Sequence, residues 1–220
     1  MLPPNDTLKA QFIAHLTALK LSLDATTIEA IFAYAQLLHQ WNQIHNLTGA
    51  KTLEDIVLHH IVDSLTIAPY IKGPNILDVG SGGGFPGVPL ALVFPQNNFI
   101  LLDSNHKKTR FLNHVVVTLD LKNVKAVCER VEKFSFAPGF DTIISRATVS
   151  LKKLWAWTKH LVAPQGQLLA MKGKYPADEL KELKVPVQIE RLDFPGVEAQ
   201  RHVVRFWNLS INCSINRFRR

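Results

Sequence analysis

The sequence predicts an α/β fold in which a mostly parallel sheet with an antiparallel edge strand follows a helical N-terminal extension. Three observations support this prediction. After residue 73, short apolar runs alternate with helical segments, which is the pattern of βαβ units. A glycine-rich turn follows the first apolar run, and before residue 73 the apolar residues recur only with helical spacing. We therefore divide the chain into a helical layer over 1–72, an α/β domain over 73–209 and a basic tail over 210–220.

Two apolar stripes with helical spacing, over 8–19 and 28–41, predict the first two helices of the N-terminal layer. A third helix is predicted over 56–65 and ends before Pro69, because proline cannot continue a helix. Asp24 or Thr27 is predicted to cap the start of the second helix. Thr52 with Asp55 resembles a capping box that opens the third helix.

Five short apolar runs predict the parallel strands of the α/β domain: 76–79, 99–102, 124–128, 141–144 and 168–171. Helical segments lie between them, most clearly over 108–119 and 151–161. Two further strand-like runs, 187–192 and 202–207, are predicted to form a hairpin at the edge of the sheet.

The composition is that of a globular protein, with 47% hydrophobic and 20% charged residues. No apolar run approaches the ~20 residues that span a bilayer, and the first residues lack an export signal. Cys128 and Cys213 are too few for a disulfide framework and lack the spacing of metal ligands. We expect a cytoplasmic protein without membrane or metal, a monomer by default. Its net charge of +7 favours a polyanionic partner.

The stretch over 75–87, NILDVGSGGGFPG, is a strand followed by a glycine loop of the kind that binds nucleotides. Glycines let backbone N–H groups approach a ligand closely. A phosphate-binding loop is excluded, because it needs lysine and then serine or threonine where this chain has VPL at 88–90. A dinucleotide fingerprint does match over 82–87, but a lone match of this kind is weak.

S-adenosylmethionine (AdoMet) is the third candidate ligand of the loop, and two aspartates favour it. It carries a sulfonium cation, an ammonium group, a ribose diol and an adenine ring. Asp78 comes from the first predicted strand, where a carboxylate suits a cationic ligand. Asp103 ends the second strand, where a carboxylate can accept both ribose hydroxyls. Because the glycines occur together with these two carboxylates, a turn that serves only packing is the weaker interpretation.

Short motifs in a fixed order make the interpretation more specific. They are Trp41-Asn42, Asn46-Leu47-Thr48, His59-His60, the glycine loop, Leu102-Asp103-Ser104, Lys107-Lys108, Arg130-Val131-Glu132, Ser145-Arg146-Ala147 and Lys172-Gly173. Over about 40–207 the chain resembles the small-subunit ribosomal RNA methyltransferase G family, also called glucose-inhibited division protein B. The resemblance implies a Rossmann-like class I AdoMet-dependent methyltransferase fold over 73–209, and methylation of a guanine N7 in bacterial 16S rRNA near the decoding region.

The resemblance and the loop together supply the predicted site residues. The predicted cofactor contacts are Asp78, Gly80, Gly82, Phe85, Asp103, Val131, Glu132 and Arg146. The candidates for RNA contact are Lys107, Lys108, Arg110, Lys172 and Arg201. Guanine N7 has an in-plane lone pair and can attack a methyl group without a general base. We therefore predict no catalytic base and treat Arg146 as a positioning candidate.

Three alternatives stay open at this point. The chain could methylate a small molecule or a protein, act as a non-catalytic RNA-binding assembly factor, or, as a distant third, be a dehydrogenase. His59 and Asp63 share a helix face, and we interpret them as hydrogen-bonding residues between the helical layer and the loop rather than as metal ligands.

Overall fold

The computed structural model describes residues 4–146, 149–192 and 200–207. The strands are β1 Asn75–Val79, β2 Asn98–Asp103, β3 Val124–Cys128, β4 Phe140–Ser145, β5 Val162–Lys172, β6 Gln188–Arg191 and β7 His202–Trp207. They form one sheet in the order β3-β2-β1-β4-β5-β7-β6, with β7 antiparallel to β5 and to β6 and the other pairs parallel. The predicted fold and the predicted edge hairpin are thereby confirmed.

The central strands are buried on both faces, as their nearly continuous apolar sequences require. Because side chains alternate along a strand, neighbouring residues enter different cores. Ile76 packs with the N-terminal helices on one face of the sheet. Leu77 packs on the other face with Leu151, Leu154 and the segments near the C-terminal hairpin.

The helices are α1 Pro4–Ala18, α2 Ala25–His45, α3 Val62–Leu65, α4 Gly87–Val93, α5 His106–Thr118, α6 Leu151–Thr158 and α7 Ala177–Lys181. Asp24 caps α2, because its side chain accepts a hydrogen bond from the Thr27 backbone N–H at 2.7 Å. Asn46 ends that helix in the left-handed conformation at φ 49°. Within the described parts of the chain, no helix is long and apolar enough to cross a membrane.

The third predicted helix differs from the expectation in its geometry. Thr52 and Asp55 exchange the hydrogen bonds of a capping box, as predicted. The segment they open is a π-helical turn, Asp55–Ile61, and only then does α3 begin. The wider turn changes the angular spacing of its side chains, which regular helical periodicity does not predict. Such turns are frequent at functional sites.

The helical layer and the α/β domain share one core. Buried side chains of α1 and α2, including Phe12, Ile31 and Leu38, pack with Phe99 and Leu101 of the sheet. The layer therefore covers a sheet face that would otherwise be exposed. The predicted basic tail over 210–220 lies outside the described residues, as does the segment over 193–199.

Candidate active site

The glycine loop connects β1 to α4 at the edge where the parallel strands end. The Gly80 backbone N–H donates to the Leu102 carbonyl at 2.8 Å and so ties the loop to β2. Gly84 has φ +102°, and a Cβ there would lie 2.8 Å from Val88 Cγ2 and 2.9 Å from Tyr34 Oη. Positive φ and close packing both require glycine at this position.

Asp78 lies beneath this loop rather than in a cavity. Its side chain is fully buried, and Oδ2 accepts a hydrogen bond from the Gly87 backbone N–H at 2.9 Å. Among the described residues, Oδ1 has no hydrogen-bond partner. Burial raises the pKa of Asp78 to about 7. In this structure the carboxyl group holds the loop from below and lines none of the three cavities described below, and the cofactor contact of Asp78 stays a prediction.

Gly87→Ala should test how closely the loop rests on this carboxylate. A Cβ at Gly87 would lie 2.3 Å from Leu101 Cδ2 and 2.6 Å from Asp78 Oδ2. We expect the free energy of unfolding, measured in urea, to fall by about 1–3 kcal/mol because the site is overpacked. Gly49→Ala is the matched control, since a Cβ there meets nothing within 4 Å. Equal stability of the two variants would contradict the close packing.

Asp78 should also give the protein's stability a pH dependence. Its pKa rises from 3.8 to about 7 on folding, so the folded state holds the proton more tightly. Protonated Asp78 therefore contributes to the free energy of unfolding fully below about pH 4, and this contribution, up to about 4 kcal/mol, is lost as the pH rises to about 7. His60 has the opposite pH dependence. Burial lowers its pKa from 6.5 to about 4, so neutral His60 contributes fully above pH 6.5 and its contribution is lost as the pH falls.

The difference in unfolding free energy between wild type and Asp78→Asn isolates the pH dependence that comes from Asp78. We expect the variant to gain stability relative to wild type between pH 4 and pH 7, measured by urea unfolding at each pH. Asp120→Asn, at an exposed position, should show no such trend. Parallel pH profiles for wild type and Asp78→Asn would contradict the expectation.

An acidic hollow of about 190 Å³ lies beside the loop, between the end of β2 and the segment after β3. Its lining includes Gly80, Leu102, Asp103, Glu129, Val131, Glu132, Leu154 and Trp157. Asp103 is held there by two backbone N–H groups, from Gly82 to Oδ2 at 2.9 Å and from Asn105 to Oδ1 at 2.8 Å. Carboxylates beside an apolar wall suit a ribose diol attached to a flat base.

A second, smaller hollow of about 120 Å³ lies next to the acidic hollow, and Gly80 lines both. We call it the loop hollow; its lining is Leu47, Thr48, Gly80, Ser81, Gly82, Gly83, Phe85 and Arg146. The segment after α2 thus reaches over the glycine loop. Sequence reasoning did not assign Leu47 and Thr48 to the site, although their motif was one of those that carried the family resemblance.

The third cavity, the basic cleft, has a volume of about 470 Å³ and meets the loop hollow at Arg146. It is lined by His59, His60, Asp63, Arg146, Met171, Lys172, Gly173 and Arg201. Three cationic side chains thus face one carboxylate. The Lys172 ammonium also donates to both oxygens of Glu179 at 3.0 Å, so part of its charge is balanced from outside the cleft.

Asp63 joins the two arginines of the basic cleft. It is only 4% exposed, and its carboxylate accepts from Arg201 Nε at 2.6 Å and from Arg146 Nη1 at 3.3 Å. We predicted hydrogen bonding between the helical layer and the loop, whereas the partners of Asp63 are arginines that flank β4 and β7. His59 lines the same cleft and is exposed.

Phe85 lies between two groups of the site. The His60 ring stacks on it with centroids 5.0 Å apart, and the Arg146 guanidinium lies 4.8 Å from its centroid. Since burial lowers the pKa of His60 to about 4, the imidazole is neutral at pH 7 and does not repel the arginine. The stack fixes the Arg146 side chain where the loop hollow and the basic cleft meet.

The structure brings together most of the predicted residues, but not all of them. Lys107 and Arg110 are exposed on α5 and line none of the three cavities. Lys108 Nζ lies 4.0 Å from Asp103 Oδ2. Among the described side chains, no group of three or more histidine, cysteine, aspartate or glutamate residues is arranged to hold a metal ion.

The residues present fit AdoMet. The acidic hollow offers Asp103 for the ribose and an apolar wall with Val131 for the adenine. The loop hollow offers backbone groups and a guanidinium for the amino-acid end. Gly80 lines both hollows, so the two lie side by side along the glycine loop.

Comparison with solved structures agrees with the fold. An AdoMet-dependent methyltransferase from Aquifex aeolicus matches with a TM-score of 0.54 and 18% identity, covering 69% of this chain and 92% of that one. An AdoMet-dependent O-methyltransferase from Thermotoga maritima matches with a TM-score of 0.53 and 15% identity, covering 66% and 65%. At these identities the likeness concerns the fold alone.

Sequence comparison is more specific. A ribosomal RNA small subunit methyltransferase G from Nitrosococcus oceani is 46% identical over 193 residues, 86% of this chain and 90% of the relative. Another from Laribacter hongkongensis is 42% identical over 201 residues, 90% of this chain and 97% of the relative. The family model of GidB, rRNA small subunit methyltransferase G, matches residues 27–204, which include every side chain that lines the three cavities. The chain therefore belongs to the GidB family, the rRNA small subunit methyltransferases G.

Proposed function

We propose that this chain transfers the methyl group of AdoMet to N7 of a guanine in bacterial 16S rRNA, near the decoding region. The observation that supports this most is the junction at Arg146, which lines both the loop hollow and the basic cleft. A cofactor held in the two smaller hollows would reach the basic cleft, a cavity of about 470 Å³ that is lined by three cationic side chains. Lysine and arginine are the side chains that bind phosphates and the O6 edge of guanine.

Guanine N7 makes few demands on acid–base chemistry. Its lone pair lies in the ring plane and is an acceptor in neutral guanine, so no proton has to be removed before attack. AdoMet supplies a methyl group bound to a positively charged sulfur. The protein then acts mainly by holding the base in line with that methyl group, and such orientation contributes as much as about 7–11 kcal/mol in model reactions.

An arginine of the cleft has to bind the guanine without occupying N7. A bidentate arginine contact to O6 and N7 would engage the lone pair that reacts. We therefore assign Arg201 to O6 or to a neighbouring phosphate, and Arg146, which also lines the loop hollow, to the amino-acid end of the cofactor. Asp63 fixes the relative position of their guanidinium groups.

The experiment that tests the proposal combines purified protein, labelled AdoMet and bacterial small subunits that lack the modification. Digestion to nucleosides and mass spectrometry then identify the product. A rise in 7-methylguanosine is expected, and deproteinised 16S rRNA offered in parallel shows which form of the substrate is used. A different methylated nucleoside would overturn the N7 assignment while leaving the cofactor in place.

The alternatives give different results in this assay and in measurements of ligand binding. Transfer to protein or small molecules but not to RNA would favour another methyltransferase activity. Failure to bind AdoMet would favour a non-catalytic assembly factor, and protection against heating by NAD rather than AdoMet would favour a dehydrogenase. We further propose that the enzyme acts in the cytoplasm. We also propose that it is a monomer, and light scattering with and without AdoMet tests this oligomeric state.

Lys107 and Arg110, which lie outside the cavities, are proposed to contact the RNA backbone. Lys107→Ala/Arg110→Ala should weaken binding of small-subunit RNA, with little effect on AdoMet affinity. If each residue neutralises one phosphate, the slope of log K against log salt should decrease in size by about 1.4–1.8. Lys122→Ala, an exposed lysine paired with Asp120, is the matched control. An unchanged slope in the double variant would remove both residues from the RNA interface.

A further inference from the structure

The segment that follows α2 is held rigidly above the glycine loop. Asn42 fixes it with two hydrogen bonds: its side-chain oxygen accepts from the Thr48 backbone N–H, and its amide donates to the Ala50 carbonyl, each at 2.8 Å. Leu47 is buried, and both Leu47 and Thr48 line the loop hollow. The N-terminal layer therefore contributes a polar side chain to the cofactor site.

The hydroxyl of Thr48 has neighbours that orient it. The Ala50 backbone N–H donates to Thr48 Oγ1 at 3.4 Å, and His60 Nε2 lies 3.4 Å from the same oxygen. Within the described part of the chain, His60 Nδ1 is buried without a hydrogen-bond partner. A buried N–H left unpaired is rarer than a bare acceptor, so we assign the proton to Nε2.

With that tautomer, His60 donates to Thr48 and does not accept from it. The threonine oxygen then accepts from two neighbours, and its own proton is directed to a third partner. The loop hollow is the cavity that this side chain lines. Arg146 is the cation of the same hollow, so a hydroxyl donor and a guanidinium face one small volume of about 120 Å³. This pair of donors suits a carboxylate.

We infer that Thr48 is a further cofactor-binding residue, whose hydroxyl donates a hydrogen bond to the carboxylate of the methionine part of AdoMet. Arg146, which lines the same hollow, supplies the opposite charge. The inference deepens the proposed function, since it rests on AdoMet as the occupant of the acidic and loop hollows. It gives the N-terminal layer a direct part in ligand recognition.

The test measures binding to the whole chain by calorimetry, with two probes. S-adenosylhomocysteine carries the amino-acid end, whereas 5′-methylthioadenosine lacks it. Thr48→Val removes the hydroxyl and keeps the shape of the side chain. We expect it to weaken S-adenosylhomocysteine binding about 10- to 100-fold, the usual effect of losing a hydrogen bond to a charged group, and to leave 5′-methylthioadenosine binding unchanged. Thr48→Ser should bind both probes within about threefold of wild type.

Two results would overturn the inference alone. Equal weakening of both probes by Thr48→Val would mean that the side chain only shapes the loop, and wild-type affinity for both would mean that it makes no contact. Wild-type protein that binds neither probe would remove the cofactor itself and thus the proposed function. Decarboxylated S-adenosylhomocysteine gives a second measurement that does not depend on how the variant folds. It should bind wild type at least about tenfold more weakly than the parent compound, and equal affinity would exclude a carboxylate contact.

Discussion

Asp63→Asn will lower kcat/KM for methylation of small-subunit RNA by about 100-fold or more, a loss of about 2.7 kcal/mol in transition-state stabilisation. The aspartate carries the negative charge between Arg146 and Arg201 in the basic cleft. Asparagine is nearly the same size but neutral, so the two guanidinium groups would repel each other and leave their positions. The base that Arg201 is proposed to hold would then lose its alignment with the cofactor that Arg146 is proposed to hold, and alignment is the main proposed source of rate.

The measurement is a steady-state methyl-transfer assay with unmodified small subunits, together with calorimetry of S-adenosylhomocysteine. Asp178→Asn is the control, because that aspartate forms an ion pair with Lys181 on the protein surface. Asp63→Glu keeps the charge and should recover part of the activity. Wild-type kcat/KM in Asp63→Asn, with a folded protein, would show that the arginines do not need the bridge.

Asp103→Ala will weaken AdoMet binding by about 100-fold or more, the second large effect that we expect. The carboxylate is 8% exposed at the end of β2, and backbone N–H groups of Gly82 and Asn105 hold its two oxygens. Alanine removes the proposed acceptor of the ribose hydroxyls and also releases the glycine loop from β2. Hydrogen bonds to a charged group contribute about 1.5–3 kcal/mol each, so the loss of two explains the expected factor.

Calorimetry with S-adenosylhomocysteine measures this effect, and the melting temperature of the ligand-free variant shows whether it folds. Asp120→Ala provides the comparison, since Asp120 is largely exposed and paired with Lys122. Affinity within threefold of wild type for Asp103→Ala would mean that the ribose is held elsewhere in the acidic hollow.

Much of the sheet is predictable from the sequence because its signals are local. All five parallel strands overlap the apolar runs that predicted them, and the bounds of four strands differ from the prediction by at most one residue at either end. β5 is the exception: it was predicted over 168–171 and spans Val162–Lys172. Its first half contains glycine and two exposed positions, Pro164 and Gln165, and its pairing with β4 shifts register between Phe140 and Thr142. An irregular strand of this kind has no continuous apolar pattern.

The site is harder to predict, because its essential contacts join distant parts of the chain. Asp63 lies 83 residues from Arg146 and 138 from Arg201 in sequence. Each of these residues can be recognised as polar and placed near a strand end or on a helix, but no periodicity indicates that they meet. Asp78 illustrates another limit: its position in the strand was predicted, whereas its burial beneath the loop depends on how tightly α4 packs.

The Tyr34 hydroxyl of α2 is fully buried and donates to the Gly83 carbonyl at 2.6 Å. A helix remote in sequence from the loop is thus hydrogen-bonded to the backbone of the glycine loop. If a ligand binds the loop more tightly when this bond is formed, the bound ligand also stabilises the attachment of α2, and loosening of α2 lowers the affinity for that ligand by the same factor. Ligand binding at the loop and the attachment of the helical layer would then be thermodynamically linked.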